Sequence, residues 1–325
     1  MTRILTRADL ASLLTPDDCL RAVEAVFRDR GEGRLAAPST LGVYAGQGSF
    51  HVKAAAGELF VAKINANFPG NPKKNGLPSI QGILALFDIE RGTPLALLDS
   101  AAITTLRTAA ATAVAAKYLA RADASIVLLI GCGTQGRASL EALRLVRPIR
   151  RVLAFDLDFA AAAQLARDLS PRLGIDIAAV PSIDDAIAGA GIVVTCTPSR
   201  TPILDARHLH PGLFVAAVGA DHAEKQELTP ALLRASRVVA DDLEQAAAMG
   251  DLHHALASGA MTRADVHGEL AQVLCGHVPA RTSDDEIFVF DSTGTALQDL
   301  ATATLAFHRA EERGLGIEVS FTREM

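Results

Sequence analysis

Residues 124–156 read ASIVLLIGCGTQGRASLEALRLVRPIRRVLAFD, and this stretch of the sequence decides the fold. An apolar, β-branched run predicts a strand, and leucines at helical spacing after the glycines predict a helix. Between them lies a G-x-G-x-x-G motif. In such a turn Gly131 permits the tight bend, Gly133 lets the backbone approach a pyrophosphate, and Gly136 lets the helix pack on the strand. The stretch therefore predicts a dinucleotide-binding strand, turn and helix.

The acidic residue that ends the next predicted strand indicates which dinucleotide is bound. This residue is Asp156, which lies 20 residues after Gly136. A carboxylate there accepts hydrogen bonds from both ribose hydroxyls and repels a 2′-phosphate, so we expect NAD(H) as the cofactor rather than NADP. The pyrophosphate is expected at the N-terminus of the helix, where Thr134 and Gln135 lie. The alternative is a glycine-rich turn that binds no ligand.

The composition excludes several classes of protein. The formal net charge of −6 and the lack of a run rich in lysine and arginine argue against a nucleic acid partner. The N-terminal segment lacks the features of a signal peptide, and no segment carries the roughly 18 apolar residues that span a bilayer. We therefore expect a soluble cytoplasmic protein with no membrane partner. At 325 residues, half of them apolar, the chain is long enough for two domains.

The cysteines and histidines do not form a metal-binding pattern. The four cysteines, at positions 19, 132, 196 and 275, contain no C-x-x-C pair and are expected to be small buried side chains. Neither His208 with His210 nor His253 with His254 has the i, i+4 spacing that places two imidazoles on one helix face. We expect no metal site.

The N-terminal third of the chain predicts a mixed α+β domain. A threonine, a proline and two acids at 15–18 form a helix start, and apolar residues continue at helical spacing to residue 31. Residues 41–98 change to short apolar runs separated by glycine and proline, a pattern typical of antiparallel strands and hairpins. An alanine-rich helix is expected over 99–122.

Beyond residue 156, helix-like and strand-like segments alternate, which predicts a doubly wound parallel sheet with its ligand at the C-terminal ends of the strands. A last helix over 296–313 is expected to pack back on the N-terminal domain. We therefore expect an α/β protein, with a Rossmann doubly wound sheet over 121–299 and a discontinuous α+β substrate-binding domain over 1–120 and 300–325. After the glycine motif the candidate strands are 151–155, 175–180, 192–196, 213–218, 238–241 and 287–290.

Four motifs in a fixed order give a more specific signal than the glycine turn. They are Lys63-Ile64-Asn65 with Phe68-Pro69-Gly70-Asn71, Thr105-Leu106-Arg107-Thr108-Ala109-Ala110, Gly219-Ala220-Asp221 with Lys225 and Glu227-Leu228, and Phe290-Asp291-Ser292-Thr293-Gly294. Through these motifs the chain resembles the ornithine cyclodeaminase/μ-crystallin family along nearly its whole length.

The resemblance implies a class of reaction and a partner. The family contains ornithine and lysine cyclodeaminases, archaeal-type alanine dehydrogenases, ketimine reductases and an iminosuccinate reductase. Their shared chemistry is hydride transfer between a nicotinamide and the α-carbon of an amino acid or its imine. The resemblance also implies a homodimer, in which the strand-rich N-terminal segment pairs with a second copy, so the discontinuous domain is expected to serve both substrate binding and dimerisation.

Three residues are expected to bind the substrate carboxylate. Arg107 lies in an otherwise apolar helix, where an unpaired guanidinium is costly, so it requires an anionic partner. The resemblance implies that Arg107 binds the α-carboxylate; the alternative is a structural ion pair with an acid such as Asp88 or Asp99. The resemblance assigns Lys63 to the same carboxylate, whereas a surface lysine on an edge strand is the alternative. It also matches Ser79 to a position whose hydroxyl contributes a further hydrogen bond.

A carboxylate is expected beside the nicotinamide. Asp221 follows a predicted strand and a Gly-Ala turn, which places it at the C-terminal edge of the parallel sheet. An imine is reduced efficiently only as the protonated iminium, so the reaction requires a carboxylate that contacts nitrogen. We expect Asp221 to be the acid/base; the alternative is that it caps a helix beginning at His222. Thr195 is expected to border the cofactor through its backbone, and Ser292 lies near the nicotinamide by resemblance.

One departure from the family pattern bears on the substrate. Ornithine cyclodeaminases carry a glutamate that holds the distal ammonium of the substrate, and its counterpart here is Phe50, near the basic residues His51 and Lys53. A diamine would lose its counter-ion and meet like charge, so ornithine is disfavoured. If His51 and Lys53, which share one face of a strand, point into the site, they hold a second carboxylate, as on iminosuccinate or 2-iminoglutarate.

We therefore expect NADH-dependent reduction of iminosuccinate to L-aspartate. If that face of the strand is solvated, alanine dehydrogenase or cyclic ketimine reductase is the better interpretation. A different class of function is a non-enzymatic, crystallin-like NAD(P)-binding protein, which would keep the glycine turn but lose a catalytic charge. The presence of Lys63, Arg107 and Asp221 favours the enzyme.

Overall fold

The computed structural model describes residues 1–321, apart from the side chain of Pro72. The chain divides into two compact units. One, which we call the α+β unit, comprises Met1–Arg107 together with the chain from Thr295 onward. The other, the Rossmann unit, comprises Thr108–Gly294. Within the described residues, no helix is both long and apolar enough to cross a membrane.

Helices and strands alternate along most of the chain. In chain order the elements are β1 (Thr2–Leu5), α1 (Arg7–Leu13), α2 (Pro16–Gly31), β2 (Ser39–Ala45), β3 (Gly48–Ala56), β4 (Leu59–Asn67), α3 (Asn71–Asn75), β5 (Ile80–Asp88), β6 (Pro94–Asp99), α4 (Ser100–Leu119), β7 (Ile126–Ile130), α5 (Thr134–Leu143), β8 (Arg151–Phe155), α6 (Phe159–Leu173), β9 (Asp176–Ala179), α7 (Ile183–Ile187), β10 (Ile192–Thr195), β11 (Phe214–Ala217), α8 (Pro230–Arg234), β12 (Arg237–Ala240), α9 (Leu243–Met249), α10 (Asp251–Ala257), β13 (Gly268–Glu269), α11 (Leu270–Leu274), β14 (Phe288–Asp291), α12 (Ala296–Arg313) and β15 (Ile317–Val319).

The Rossmann unit is built on an eight-stranded sheet of order β13-β12-β14-β11-β10-β7-β8-β9. Every neighbouring pair in it is parallel. The chain passes from β7 outward to β8 and β9 and then returns to β10 on the other side of β7, so the winding direction reverses there. A doubly wound sheet binds its ligand at such a switch point, at the C-terminal ends of the strands. The predicted fold class is confirmed.

The α+β unit is built on a seven-stranded sheet of order β15-β1-β6-β5-β4-β3-β2. β1 pairs in parallel with β6, and the other neighbours are antiparallel. Side chains alternate between the two faces along each strand, so Lys53 and Lys63, which are register partners on β3 and β4, share one face. The neighbours Val52 and Ile64 are partners on the other face.

The predicted limits of helices and strands agree best with the structure where neighbouring residues in the sequence determine the element. α12 begins and ends at the predicted residues 296 and 313. The predicted strands β9, β10, β11, β12 and β14 differ from the predicted limits by at most one residue at each end, whereas the two-residue β13 was not predicted. α4 ends three residues before the predicted residue 122. β1 and β15 were not predicted, because short strands are stabilised by distant partners, here Thr2 with Val319.

Asp18 joins two helices of the α+β unit. Its Oδ2 accepts hydrogen bonds from the backbone N–H and the hydroxyl of Thr15, at 3.1 and 2.6 Å, which caps α2. Both terminal nitrogens of Arg309 on α12 also donate to this carboxylate, at 2.6 and 2.7 Å. The hydrogen-bonded guanidinium of Arg309 holds the pKa of Asp18 well below its usual range.

The variant Asp18→Ala removes the carboxylate half of the capping box of α2, which leaves the N-cap Thr15 in place, and the carboxylate partner of Arg309. We expect it to lower the free energy of unfolding by about 2–3 kcal/mol, measured by urea denaturation. The matched control is Asp17→Ala, because the half-exposed Asp17 carboxylate pairs with the exposed guanidinium of Arg21. Its expected loss is under about 1 kcal/mol. Equal losses for the two variants would show that Asp18 does not join the helices.

Candidate active site

The glycine motif forms the turn between β7 and α5. Gly131 has a φ of +104°, which favours glycine, and a Cβ there would lie 2.9 Å from the carbonyl oxygen of Cys196. A Cβ on Gly136 would lie 2.2 Å from the carbonyl oxygen of Gly131, so α5 approaches β7 this closely only with glycine. Gly133 differs, because nothing lies within 4 Å of its missing Cβ. The turn therefore leaves open space beside its second glycine.

The start of α5 fits a pyrophosphate in this space. Gly133 is the N-cap, and no side chain caps the helix. Thr134 and Gln135 are the first two residues of α5, in the turn whose backbone N–H groups point out of the start of a helix. Such amides attract phosphate groups, and the helix dipole adds to the attraction.

Asp156 lies beside the same turn, directly after β8. Its Oδ2 accepts a hydrogen bond from the backbone N–H of Cys132 at 2.8 Å, and its Oδ1 accepts one from the backbone N–H of Asp158 at 3.0 Å. The carboxylate is thus fixed at the end of the strand next to β7, where a ribose is bound in Rossmann folds. The glycine turn, the uncapped helix and Asp156 together fit NAD.

Thr195 and Ser292 are buried, and their side chains contact carboxylates. Thr195, the last residue of β10, donates its hydroxyl to Glu227 at 2.7 Å. Ser292, directly after β14, donates its hydroxyl to Asp241 at 3.1 Å. Sequence reasoning did not identify these acceptors. The carbonyl oxygen of Thr195 accepts the backbone N–H of Val218 at 2.9 Å, so both its hydroxyl and its backbone are engaged within the sheet, and the expected backbone contact with the cofactor stays a prediction.

Asp221 lies at the C-terminal edge of the Rossmann sheet, as expected from the turn after β11. Its side chain is 47 % exposed, and its Oδ1 lies 2.5 Å from Nζ of Lys225. Residues 222–225 contain a turn and no helix. The alternative that Asp221 caps a helix starting at His222 is therefore wrong, and the carboxylate is accessible to a ligand.

In the α+β unit, Lys63 and Arg107 converge on one buried carboxylate, Asp299. Nζ of Lys63 lies 2.5 Å from Oδ2 of Asp299, and Nε of Arg107 donates to Oδ1 at 3.0 Å. Arg107 also donates to Oε1 of Gln298 at 2.8 Å. Three elements supply these side chains, since Lys63 is on β4, Arg107 on α4 and Asp299 on α12. Asp299 is completely buried.

The charges in this cluster act on each other strongly. Burial lowers the pKa of Lys63 to about 7; Asp299 opposes this shift, and the charges of Arg107 and Lys53 add to it. Burial alone would raise the pKa of Asp299, but the charges of Lys63 and Arg107 outweigh it and hold the pKa below its ordinary value. Asp299 is therefore ionised, and it forms the counter-ion of both basic side chains. A further carboxylate nearby would stabilise the protonated lysine.

The acids named as alternative partners of Arg107 are engaged elsewhere. Asp99 pairs with Arg7 at 3.2 Å, and Asp88 accepts the backbone N–H groups of its own turn. The true partner, Asp299, was missed. The signal that could have revealed it is an acidic residue on the apolar face of a helix, where an ion pair is required.

His51 and Lys53 lie on the same face of β3. Lys53 is buried, at 8 % exposure, so this face is not solvated there. His51 is half-buried, with Nε2 2.8 Å from the hydroxyl of Ser49. Phe50 lies on the opposite face, where its ring packs on Phe68 with centroids 5.7 Å apart. The positive charge expected to repel a diamine therefore comes from His51 and Lys53, and Phe50 does not lie on their face of the strand.

Ser79 lies in the loop before β5 and is half-buried. Its carbonyl oxygen accepts the backbone N–H of Phe68 at 2.7 Å, which ties this loop to the end of β4.

The ornithine cyclodeaminase/mu-crystallin family model matches residues 1–314 of the chain. The iminosuccinate reductase of Paracoccus denitrificans is 34% identical over 324 residues, which cover 97% of this chain and 99% of the relative. The structure of an archaeal alanine dehydrogenase dimer with bound NAD superimposes with a TM-score of 0.94 at 37% identity, covering 98% and 99% of the two chains. The Δ(1)-pyrroline-2-carboxylate reductase of Thermococcus litoralis, in complex with NADH and L-proline, gives a TM-score of 0.93 at 32% identity, covering 98% and 100%.

Alanine at Gly133 and alanine at Gly136 are expected to have different effects, the first on NADH binding and the second on protein stability. Gly133→Ala is expected to leave thermal stability nearly unchanged, because nothing lies within 4 Å of the new Cβ, but to weaken NADH binding at least about tenfold by filling the place of the pyrophosphate. Gly136→Ala is expected to destabilise the protein, because its Cβ meets a backbone oxygen at 2.2 Å. Fluorescence titration with NADH and thermal melts distinguish the two. Unchanged NADH affinity in Gly133→Ala would contradict this assignment.

Proposed function

Because the chain belongs to the ornithine cyclodeaminase/mu-crystallin family, we propose that it is an NADH-dependent imine reductase and amino acid dehydrogenase that transfers hydride to the α-carbon of an α-imino acid. Its best substrate is iminosuccinate, and the product is L-aspartate. One observation carries this choice: the buried Lys53 is the register partner of Lys63 on the same sheet face, next to the single buried carboxylate, Asp299, that pairs with Lys63 and Arg107. Such a cluster favours a substrate with more than one negative charge.

The α-carboxylate is assigned to Arg107 and Lys63. Arg107 presents a planar fork of donors, and an anion beside Lys63 stabilises its charged form, which burial disfavours. The second carboxylate of iminosuccinate is assigned to Lys53, with His51 next along the same strand face, and Ser79 is assigned a further hydrogen bond. A monocarboxylate would leave the charge of Lys53 without a role in binding.

The Rossmann unit binds the cofactor and carries the acid/base residue. NADH, when bound, supplies the hydride. Gly131, Gly133 and Gly136, with the first residues of α5, hold the pyrophosphate, and Asp156 accepts hydrogen bonds from the ribose. Asp221 orients the substrate nitrogen and holds the proton of the iminium, which makes the α-carbon electrophilic, and it then binds the ammonium of the product.

Reduction of a monocarboxylic or cyclic imine is the second candidate. It is favoured by the likeness to an alanine dehydrogenase and to a Δ(1)-pyrroline-2-carboxylate reductase, each of which covers nearly the whole chain. A monocarboxylic imine and a cyclic imine of this kind share with iminosuccinate an α-carboxylate next to a C=N bond. The difference between the candidates therefore lies in Lys53 and His51.

A non-enzymatic NAD(P)-binding role is disfavoured by the charged residues. Lys63 and Arg107 are held in an ion-pair cluster, and Asp221 is accessible. A protein that only binds the dinucleotide has no need of a buried basic cluster in its other unit.

A homodimer is part of the proposal. The face of the seven-stranded sheet opposite Lys53 and Lys63 exposes apolar side chains on four neighbouring strands. A contiguous apolar surface of this kind marks an interaction site, and the similar archaeal alanine dehydrogenase is described as a dimer. The exposed side chains are Leu41, Val43, Phe50, Ile64 and Ile83.

Replacement of Lys53 tests the substrate. In Lys53→Met we expect KM for oxaloacetate plus ammonia, which form iminosuccinate, to rise about 10–100-fold, because one charged hydrogen bond is lost. KM for pyruvate plus ammonia should change less than about threefold, because this substrate has no second carboxylate. Lys74→Met is the control, because Lys74 is exposed and bonds to Gln47. Equal changes for both keto acids would assign Lys53 to the fold or the α-carboxylate and favour the second candidate.

Replacement of Asp221 tests the acid/base. Asp221→Asn should lower kcat by about 10²–10⁴-fold, because the amide cannot hold the proton of the iminium. NADH affinity, measured by fluorescence, should stay within about threefold of the wild type. If NADH binding is lost together with turnover, Asp221 belongs to the cofactor site and the assigned role is wrong.

A charge on the apolar face tests the dimer. Ile64→Lys places an ammonium at the centre of this face, so we expect a monomer in sedimentation velocity experiments where the wild type is a dimer. The control is Leu157→Lys, because Leu157 is 98 % exposed and lies in the Rossmann unit. A dimer that survives Ile64→Lys would show that a different surface is used.

A further inference from the structure

Glu227 lies completely buried in the Rossmann unit, and its carboxylate accepts four hydrogen bonds. Oε1 accepts from the backbone N–H and the hydroxyl of Thr197, both at 2.7 Å. Oε2 accepts from the hydroxyl of Thr195 at 2.7 Å and from the backbone N–H of Gly219 at 2.9 Å. Each oxygen therefore receives two donors, which uses the full accepting capacity of a carboxylate.

These donors belong to two different turns at the C-terminal edge of the sheet. Thr195 ends β10 and Thr197 follows it, whereas Gly219 follows β11 and precedes Asp221 by two residues. A Cβ on Gly219 would lie 2.6 Å from Oε1 of Glu227, so this close approach requires glycine. Glu227 thus ties the turn expected to border the cofactor to the turn that carries Asp221.

The backbone of Glu227 is itself anchored by a second carboxylate. Oδ1 of Asp251 accepts the backbone N–H groups of Glu227 and Leu228, at 2.8 and 2.9 Å. Asp291, at the end of β14, accepts the backbone N–H of Leu252 at 2.8 Å and so fixes the start of α10. The chain of contacts therefore runs from the sheet through α10 to Glu227.

This arrangement is costly for stability. Within residues 1–321, no basic side chain forms an ion pair with Glu227, Asp251 or Asp291, and no group of three or more His, Cys, Asp and Glu is placed to hold a metal ion. Burial raises the pKa of Glu227, and it raises that of Asp291 to about 7. Buried carboxylates without a cation are expensive, and perturbed groups of this kind cluster at functional sites.

We propose that Glu227 is a positioning residue for the reaction, which fixes the turn of Asp221 relative to the turn of Thr195 and Thr197. The inference rests on the proposed function, because it assigns the acid/base to Asp221. A misplacement of about 1 Å at a reacting group can cost about 100-fold in rate, so a rigid tie between these turns is worth the cost of the buried charge.

The test is Glu227→Gln. This variant keeps the shape of the side chain but replaces one carboxylate oxygen, which accepts two hydrogen bonds, with an NH₂ group, which can only donate. We expect kcat to fall at least about tenfold, with KM for the imino acid and Kd for NADH within about threefold of the wild type. Hydrogen exchange should accelerate at least about tenfold at the Gly219 amide or at the Thr197 amide, because each oxygen of Glu227 accepts one of these N–H groups and the glutamine keeps only one oxygen. The exchange measurement needs neither cofactor nor substrate.

Asp251→Asn is the matched control. Its oxygen can still accept the N–H groups of Glu227 and Leu228, and Oδ2 of Asp251 has no hydrogen-bond partner within the described residues, so the amide replaces nothing there. We expect kcat within about threefold of the wild type, although a buried acid of the same chain of contacts has been removed. If Glu227→Gln does not fold, Thr197→Val removes one donor to Glu227, together with the acceptor of the Ser199 N–H, and should lower kcat about three- to tenfold.

The outcomes separate the two proposals. If the wild-type enzyme turns over, then Glu227→Gln with wild-type kcat and exchange rates, or Thr197→Val with wild-type kcat, overturns the positioning role alone. An equal loss of kcat in Asp251→Asn and Glu227→Gln also overturns it, since any disturbance of the buried acids would then suffice. A wild-type protein without NADH-dependent turnover of any imino acid overturns the proposed function and this inference together.

Discussion

The ion pair between Asp299 and the basic residues Lys63 and Arg107 is the constraint on which the substrate assignment depends. Neither basic side chain can be buried without a counter-ion, so α12, which carries Asp299, must return to the sheet that carries Lys63. This requirement explains why the α+β unit is discontinuous in sequence: its last helix supplies the carboxylate that its first hundred residues need. Under the proposed function, the same ion pair holds Lys63 and Arg107 in place for the substrate carboxylate.

The two units use buried carboxylates in opposite ways. In the α+β unit, Asp299 neutralises cations, and its pKa stays below the ordinary value. In the Rossmann unit, Glu227 and Asp251 accept hydrogen bonds from amides and hydroxyls, and burial raises their pKa values. The first arrangement prepares a site for an anion. The second holds backbone turns in place at the edge of the sheet, next to Asp221. Under the proposed function, a fixed position of the Asp221 turn favours proton transfer more than a further charge would.

The parts of the structure that could be predicted from the sequence are those whose causes are local. The strand, glycine turn and helix around Gly131 follow from residues within one βα unit, and α12 follows from its periodicity. The partner of Arg107 could not be found in this way, because Asp299 is 192 residues distant in sequence and no spacing rule connects them. Asp88 and Asp99 were considered because they are close in sequence, which is the weaker criterion for a buried ion pair.

The same limit applies to Glu227 and to Phe50. Glu227 belongs to a motif that the sequence analysis singled out, but its four donors follow two different strands, and only the parallel order of the sheet brings them together. For Phe50, the strand was predicted correctly, and the side chain was compared with a glutamate of the site. The register places it on the other face, because a shift of one residue along a strand exchanges the faces.

The most direct test of the account is to identify the product. Purified protein is incubated with NADH, oxaloacetate and ¹⁵N-labelled ammonium, and in parallel with pyruvate in place of oxaloacetate, and the labelled amino acids are quantified by NMR. Reduction of iminosuccinate by NADH predicts L-[¹⁵N]aspartate as the product. One NAD⁺ is formed for each aspartate, at least about tenfold faster than labelled alanine is formed. Faster formation of alanine, or no labelled amino acid from either keto acid, would contradict it.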